Sequence, residues 1–207
     1  MNLSKIRNLL WEGRTKESKL FLIRIREPKD KEKFDEFIKL MPLEASYPKN
    51  ILLSESDLKP GEFKLTTNHF LIEMENKIIG ALSFHPGNEH DYHFRHGVRI
   101  HLNILPPFKN QGFGSALLDT FEDFAKEELF YRISTGTIAS NISAIKLFLK
   151  KGYKIEGRTT RAMKLRFKGD KEEIKGVSEV FVDAILLGKW IGPKIIDYKE
   201  QIEFNLR

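Results

Sequence analysis

The stretch "KNQGFGSALL", Lys109 to Leu118, has the residue types and spacing to hold a phosphate group. Gly112 and Gly114 follow a strand-like segment and stand where an apolar helical pattern begins. The first N–H groups of a helix have no internal partner and attract anions, and glycine leaves them accessible to an oxygen atom. Lys109 adds a positive charge and Ser115 a hydroxyl donor. The stretch therefore predicts a phosphate-binding turn.

The spacing of the glycines excludes two common phosphate-binding motifs. A Walker A loop requires a Gly-Lys-Ser/Thr sequence that this stretch lacks, and Leu117 stands at the third glycine position of the dinucleotide fingerprint. Glycine pairs are also common in tight turns between a strand and a helix. Taken alone, the pair is equally compatible with a turn that binds no ligand.

Hydrophobic periodicity predicts the elements that would position this turn. Strands are expected at residues 20–28, 98–105, 129–138, 161–168 and 179–187, and a hairpin at 69–86 with its turn near 75–77. Helices are expected at residues 29–41, after the glycines, and after the N-cap Asn141, with Gly152 as a left-handed C-cap. Residues 42–66 are expected to form a loop, a short helix and a second loop. This order predicts one α/β (α+β) domain around a mixed central sheet flanked by helices.

Two spaced motifs connect this arrangement with a family. "ILPPFKNQGFGSALL" resembles the acetyl-CoA-binding motif of the GNAT superfamily of N-acetyltransferases, Gln/Arg-x-x-Gly-x-Gly/Ala, with Lys109 in the first position. The segment "VDAILLGKW", residues 182–190, is similar to the late Asp-x-x-Leu-Met strand of the family, so the resemblance covers about residues 20–190. A second family motif, Asn-x-x-Ala-x-x-Leu-Tyr-x-x-x-Gly-Phe, is matched by Asn141, Ala144, Leu147, Phe148, Gly152 and Tyr153.

The resemblance implies a GNAT-like sheet in which two central parallel strands, residues 98–105 and 129–138, splay apart around the pantetheine arm of acetyl-CoA. Pro106 and Pro107 would end the first strand and stop its pairing. Main-chain groups around Ile104 and Leu105 would bind pantetheine amides and polarise the thioester carbonyl, and those near residues 111–115 would hold the pyrophosphate. The cofactor-binding residues so implied are Ile104, Leu105, Lys109, Asn110, Gln111, Gly112, Phe113, Gly114, Ser115, Asn141 and Phe148. For Asn141, the role of helix cap is an equal alternative.

The implied reaction is transfer of an acetyl group to a primary amine by direct attack in a ternary complex. The amine must lose its proton first, so a general base is needed. Strand alternation places His101 on the face opposite Ile100 and Leu102, unless a bulge changes the phase. His101 is the residue of this strand whose pKa suits a base at neutral pH, and it is the predicted catalytic residue. A histidine hydrogen-bonded under a loop is the alternative.

The usual acid of the family is the tyrosine of the second motif, and here that position is Phe148. Phenylalanine has no proton to give to the leaving thiolate. Tyr153 occupies the phenylalanine position of the motif and is expected to pack in the core. A metal ion is not expected to replace the missing acid, because the five histidines in residues 85–101 match no zinc signature.

Composition limits the partners and the compartment. The net charge of +6 comes from 35 basic and 29 acidic residues that mostly alternate, which favours a solvated surface over a nucleic-acid interface. The sequence has no apolar run of membrane-spanning length, and the charges in its first residues are unlike a signal peptide, so we expect a cytoplasmic protein with no membrane partner. The absence of cysteine excludes disulfides and says nothing about the compartment. Residues 1–19 are expected to form a helical extension, from the apolar spacing of its first turns. Residues 20–190 would form the acetyltransferase domain, and residues 191–207 an extension packed on it. The sequence leaves open whether the protein forms a homodimer.

Two other functions remain compatible with the sequence. One is a non-catalytic acyl-CoA-binding or sensing module on the same fold, which Phe148 suggests. The other is a basic ribosome- or RNA-associated protein without transferase activity. The resemblance implies that residues 40–67 and 168–178 would select the acceptor, but neither segment contains a motif that identifies a substrate. A protein N-terminus, a lysine, a polyamine, an aminoglycoside and an amino acid are all open.

Overall fold

One mixed sheet organises the chain, seen here in a computed structural model that describes residues 10–15, 19–41, 69–87, 95–166 and 179–193. Within these residues the strands are β1 Leu10–Arg14, β2 Leu20–Ile25, β3 His69–Met74, β4 Lys77–Pro86, β5 Gly97–Ile104, β6 Arg132–Ile138, β7 Lys154–Arg166 and β8 Glu179–Trp190. The helices of the same residues are α1 Lys31–Leu40, α2 Phe113–Glu127 and α3 Ile142–Lys150. The strand order is β1-β2-β3-β4-β5-β6-β8-β7. The predicted α/β fold with a mixed sheet and flanking helices is confirmed.

The sheet consists of two antiparallel halves joined by a short parallel contact. Strands β1 to β5 pair antiparallel in sequence order, and β6, β8 and β7 form the second antiparallel group. The halves meet where residues 97–99 of β5 pair with residues 132–134 of β6 in parallel. Beyond that contact the two strands separate, as the sequence implied for residues 98–105 and 129–138.

The predicted hairpin forms between β3 and β4, and its turn has a clear local cause. Glu75 and Asn76 have φ of 50° and 63°, as a type I′ turn requires at both central positions. Asparagine tolerates this left-handed conformation better than most residues, so the turn falls where the sequence placed it.

Helices cover both faces of the sheet because its strands are apolar on both sides. Successive residues of β3 point to different cores: Phe70 packs among the residues of α2, and Leu71 packs against α1. Helix α1 buries Phe34, Phe37 and Ile38 against the sheet. Helices α2 and α3 lie on the opposite face, where their apolar sides share one core with Phe70. We refer below to the α1 face and the α2 face of the sheet.

A buried charge network fixes the start of α1. The guanidinium of Arg24 donates two hydrogen bonds to Asp30, at 2.6 and 2.7 Å, and two to Glu73, at 2.8 and 3.2 Å. Lys33 completes the network with a 3.1 Å hydrogen bond to Glu73. Burial alone would raise the pKa of Asp30, but the hydrogen bonds from Arg24 and the main chain hold that pKa below its ordinary value. Because buried charges are costly without partners, the network ties α1 to β2 and β3 in one arrangement.

The N-terminal helix prediction is wrong for the described residues of that segment. Residues 10–14 form strand β1, which pairs antiparallel with β2. Trp11 packs against Phe70 with ring centroids 5.8 Å apart. The apolar spacing in residues 3–10 spans only about two helical turns, which is too short to be stable alone in water. The edge of β2 offers a row of main-chain hydrogen bonds instead.

Other predictions differ from the structure mainly at element boundaries. Strand β7 begins at Lys154, seven residues before the predicted start at Arg161, and β6 begins at Arg132 and not at Leu129. The loop, short helix and loop predicted for residues 42–66 lie outside the described residues, as does the segment 168–178. None of the helices in the described part of the chain has the length and apolar character to cross a bilayer.

His69 makes stability dependent on pH. It is 4% exposed and packs edge-on against Phe34, with ring centroids 5.0 Å apart. Burial, with smaller contributions from Arg26 and His85, lowers the pKa of His69 to about 3, whereas an unfolded histidine titrates near 6.5. The unfolded chain therefore binds more protons between these values. His69 weakens the fold as pH falls from about 6.5 toward 3 and has no such effect above 6.5.

We expect the His69→Gln variant to lose stability less steeply than the wild type on acidification. The difference in slope should approach about 1.4 kcal/mol per pH unit, measured by urea unfolding between about pH 6.5 and pH 4. The other histidines with lowered pKa values are present in both proteins and cancel. Equal slopes would show that His69 is not buried in its neutral form.

Candidate functional site

A cavity of about 480 Å³ occupies the place where β5 and β6 separate. Pairing between the two strands ends at Arg99 and Ser134, while β5 continues to Ile104 and β6 to Ile138. The walls come from the end of β5, the turn that follows it, the start of α2, the second half of β6 and one side of α3. The short parallel contact thus opens directly into the cavity.

The cavity reaches both faces of the sheet. Ile104 belongs to the core on the α2 face, and Leu102 packs against that core. His101 and Asn103 alternate with them and lie on the α1 face, as does Met41 at the end of α1. All five residues line the same cavity. A molecule entering from the α2 face can therefore meet a second molecule entering from the α1 face.

Main-chain groups of β5 face the gap. The register of β5 with β4 runs without a bulge from Gly80↔Ile104 to Pro86↔Val98, so strand alternation holds as predicted. The N–H of Leu105 donates to the carbonyl of Ile79 at 2.9 Å, which sets odd-numbered residues of β5 to bond toward β4. Even-numbered residues bond toward β6. Leu102 and Ile104 lie beyond the paired segment, so their N–H and C=O groups point into the gap.

The start of α2, the turn predicted to bind phosphate, lines the cavity. Gly112 is the N-cap with φ of 92°, a left-handed conformation that glycine adopts without strain. The carbonyl of Gly112 accepts from the N–H of Ala116 at 3.0 Å, so the N–H groups of residues 113–115 precede the first helical hydrogen bond. Lys109 and Lys150 also line the cavity and add positive charge. The lining therefore combines two ammonium groups with a helix start whose peptide donors are free.

Gly114 allows α2 to approach α3 closely. A Cβ at this position would lie 3.0 Å from Leu147 Cδ2 and 3.5 Å from Leu102 Cδ2. Glycine is thus required at the two positions for different reasons. Gly112 adopts a left-handed backbone conformation, and Gly114 leaves space between α2 and α3.

Asn141 caps α3 and also has a position in the cavity lining. Its Oδ1 accepts a hydrogen bond from the N–H of Ala144 at 3.2 Å, which confirms the N-cap of α3. Gly152 ends the helix with φ of 84°, as expected.

His101 is a half-buried base on the α1 face of the gap. Its ring lies 5.8 Å from the ring of His85, measured between centroids. Burial, with smaller contributions from His85 and Arg99, lowers the pKa of His101 to about 4. The imidazole is therefore neutral at physiological pH and can accept a proton there. It is a weaker base than an ordinary histidine.

Neither aromatic residue of the second motif offers an acid. Phe148 lines the cavity, is 3% exposed and packs edge-on against Tyr153, with centroids 5.1 Å apart. Tyr153 lies in the core, as predicted, and does not line the cavity. Burial first, and then the carboxylate of Glu122, raise the pKa of the Tyr153 hydroxyl far above its ordinary value. That proton stays on the phenol.

Most of the residues predicted for the site lie together, and three do not. The lining includes His101, Ile104, Lys109, Asn110, Gly112, Gly114, Ser115, Asn141 and Phe148. Leu105 instead belongs to the core of the α1 face, and its carbonyl accepts from the N–H of Phe108 at 2.9 Å. Gln111 turns away and donates from Nε2 to the carbonyl of Pro107 at 2.8 Å. Phe113 is 2% exposed and packs in the core of the α2 face.

Strand β6 supplies a wall of the cavity that the motifs did not identify. Its contribution is Thr135, Gly136, Thr137 and Ile138. Thr135 Oγ1 donates to the carbonyl of Ile100 at 2.9 Å, which bridges the two strands just beyond their last paired residues. The small, polar run "STGT" was the available signal, because a central strand with few large apolar residues leaves room beside it.

The described residues contain no cluster of three or more histidine, cysteine, aspartate or glutamate side chains able to hold a metal ion. His85, His96 and His101 are described, whereas His90 and His93 lie outside the described residues. The five histidines of residues 85–101 are thus described only in part.

Comparison with known proteins identifies the family. The model of the acetyltransferase (GNAT) family matches residues 34–153, more than half of the chain. No curated protein matches the sequence.

Solved structures show the same fold. A GNAT-family acetyltransferase from Streptococcus pneumoniae is 25% identical with a TM-score of 0.63, over 83% of this chain and 99% of that one. A ribosomal-protein-S5-alanine acetyltransferase from Vibrio fischeri is 16% identical with a TM-score of 0.65, over 88% and 97%. The protein yncA from Salmonella typhimurium, solved with its cofactor acetyl-CoA, is 14% identical with a TM-score of 0.57, over 84% and 95%.

The contact between Gly114 and Leu147 predicts a compensating pair of substitutions. Gly114→Val should lower the free energy of unfolding by about 1–3 kcal/mol, because the new side chain overlaps Leu147. Adding Leu147→Ala should restore part of that loss, since it removes the atom that is struck. Gly157→Val is the matched control, as a Cβ there would meet nothing within 4 Å. Losses that simply add in the double variant, measured by chemical denaturation, would contradict the contact.

Proposed function

Because the chain belongs to the GNAT family of acetyltransferases, we propose that it transfers an acetyl group from acetyl-CoA to the primary amine of an acceptor. The transfer would be a direct attack of the amine in a ternary complex. The observation that carries the proposal is the cavity between β5 and β6, whose lining includes the start of α2, two lysines and His101, a histidine that burial keeps neutral by lowering its pKa.

The residues present fit acetyl-CoA as the co-substrate. The N–H groups of residues 113–115, with Lys109 and Lys150, suit the pyrophosphate. The gap-facing main-chain groups of Leu102 and Ile104 suit the amides and the thioester carbonyl of an extended arm. The similarity in fold to yncA, solved with acetyl-CoA, supports this choice. Once bound, acetyl-CoA supplies an activated acyl group on a thiol leaving group.

His101 is our proposed proton acceptor for the amine. It lies beside the gap on the face opposite the pyrophosphate end, where the acceptor would enter. Its low pKa keeps the imidazole unprotonated but makes it a weak base. We therefore place its contribution near the lower end of the range of about 10²- to 10⁴-fold for general base catalysis.

The leaving thiolate has no tyrosine to protonate it, because Phe148 stands at that position. Phe148 instead provides an apolar wall to the cavity. A thiol is a good leaving group with a pKa not far from neutrality, so water is a sufficient proton source for its release. This position is also what keeps the second candidate function, an acyl-CoA sensor without turnover, worth testing.

The test of the function is an acceptor panel read by release of free coenzyme A. An enzyme releases the thiol in an acceptor-dependent manner, whereas a sensor binds acetyl-CoA and releases none. Titration calorimetry with coenzyme A and with pantetheine tests the phosphate end separately. Coenzyme A should bind much more tightly, and equal affinities would remove the pyrophosphate from the start of α2.

The role of His101 predicts a pH-dependent defect. His101→Ala should lower the acetylation rate at neutral pH by about tenfold or more and leave the affinity for acetyl-CoA nearly unchanged. Raising the pH deprotonates the amine without help, so the gap to the wild type should narrow. A misfolded variant would not recover in this way. Since the folded pKa is about 4, the histidine should introduce no acidic limb near 6.5 in the wild-type profile. Full activity of the variant at neutral pH would leave His101 a structural residue.

A further inference from the structure

Arg99 stands at the point where β5 and β6 part. It pairs with Ser134 in the last parallel pair and with His85 across β4. By strand alternation its side chain lies on the α1 face, the same face as His101. The two residues are two positions apart on one strand, or roughly 6.6 Å between Cα atoms. Helix α1 packs over the other end of these strands, near Ala81 and Leu105, so Arg99 is exposed.

The guanidinium of Arg99 forms no salt bridge with any described residue. Two other cations on this side of the sheet are paired: Arg132 with Glu156 at 2.6 Å, and Lys33 with Glu73 at 3.1 Å. Among the described residues, Arg99 therefore presents an unpaired positive charge and a free fork of N–H donors. It does not line the cavity itself but stands two residues before His101, which does. That fork matches the geometry of a carboxylate.

The charge of Arg99 reaches the reacting end of the cavity. It contributes, after burial, to the lowered pKa of both His85 and His101. The same field would act on the amine of a bound acceptor and favour its neutral, nucleophilic form. A polycationic acceptor would meet this charge as repulsion, whereas an acceptor with a carboxylate next to its amine would meet it as an anchor.

On these grounds, and given the acetyl transfer proposed above, we propose that Arg99 binds a carboxylate of the acceptor. The substrate class is an amine that carries a carboxylate close to the reacting nitrogen, as in an amino acid or a peptide with an acidic residue near its N-terminus. Arg99 is a specificity-determining residue in this scheme, and polyamines and aminoglycosides are disfavoured.

Matched acceptors of different charge test the inference. The first set is glycine, glycinamide and ethylenediamine, and the second is glycyl tripeptides with aspartate, asparagine or lysine in the second position. Phosphoethanolamine against ethanolamine tests whether a phosphate serves as well as a carboxylate. Release of free coenzyme A gives kcat/KM for each, with wild type, Arg99→Gln, Arg99→Lys and Arg99→Glu. Arg132→Gln is the matched control, because it removes a neighbouring arginine whose charge is already paired.

In at least one set we expect the wild type to prefer the carboxylate over its neutral partner by at least tenfold. Arg99→Gln should reduce that preference to within about twofold, mostly through KM, and Arg99→Glu should shift it toward the cationic acceptor. Arg99→Lys should keep part of the preference, and Arg132→Gln all of it. Turnover that is equal across charges, or a preference that survives Arg99→Gln, would overturn the inference and leave the acetyltransferase function intact. A preference for phosphoethanolamine over every carboxylate would also overturn it.

Calorimetry separates the inference from the function itself. The same acceptors are titrated into protein saturated with coenzyme A, for the wild type and for Arg99→Gln. If carboxylates bind in an Arg99-dependent manner but no coenzyme A is released, the result supports the role of Arg99 and contradicts the proposed acetyltransferase activity. Absence of both Arg99-dependent binding and turnover in all sets contradicts both.

Discussion

The early end of the pairing between β5 and β6 is the constraint on which the site depends. Two neighbouring strands that stop bonding leave main-chain N–H and C=O groups without partners in the middle of a sheet, which is costly unless other polar atoms satisfy them. The hydroxyl of Thr135 satisfies one of these groups by donating a hydrogen bond to the carbonyl of Ile100. Leu102 and Ile104, farther along the gap, are left for a ligand. The cost of the opened sheet is thus also the source of its binding capacity.

The walls of the gap are held in place by polar ties between elements that the hydrophobic cores alone would leave free to slide. On the α2 face, Lys151 at the end of α3 bonds to Asp119 of α2 at 2.7 Å, and Lys189 of β8 reaches Glu122 of α2. On the α1 face, the network centred on Arg24 sets the start of α1. The Lys189–Glu122 pair and the Arg24 network have small exposure and defined geometry, so they help to specify one position for α2 and for α1, whereas Asp119 is exposed and its pair with Lys151 contributes less. Such walls suit a site that must align two molecules.

Burial, His85 and Arg99 together lower the pKa of His101, which lines the gap. Burial keeps His101 neutral, and the charge of Arg99 adds to the effect. Phe148 lines the cavity at the position of the family's usual tyrosine and has no proton to give. In the proposed reaction, the same positive field would disfavour the protonated amine of the acceptor before any proton is transferred. A carboxylate held by Arg99 would bring the acceptor into that field.

The sequence by itself determined most of the described strands and helices, the family, and the glycine turn at the start of α2. Gly112 and the N-cap Asn141 act through local backbone rules, and such rules do not depend on distant residues. Tertiary structure decided which side chains share the cavity. Thr135 and Lys150 were not identified because a strand and a helix distant in sequence meet only after folding, and Leu105 was misplaced because its hydrogen bond to β4 is a matter of register. The N-terminal strand was missed for the same reason: a short segment takes the structure of the sheet edge that accepts it, and its own periodicity is too weak to resist.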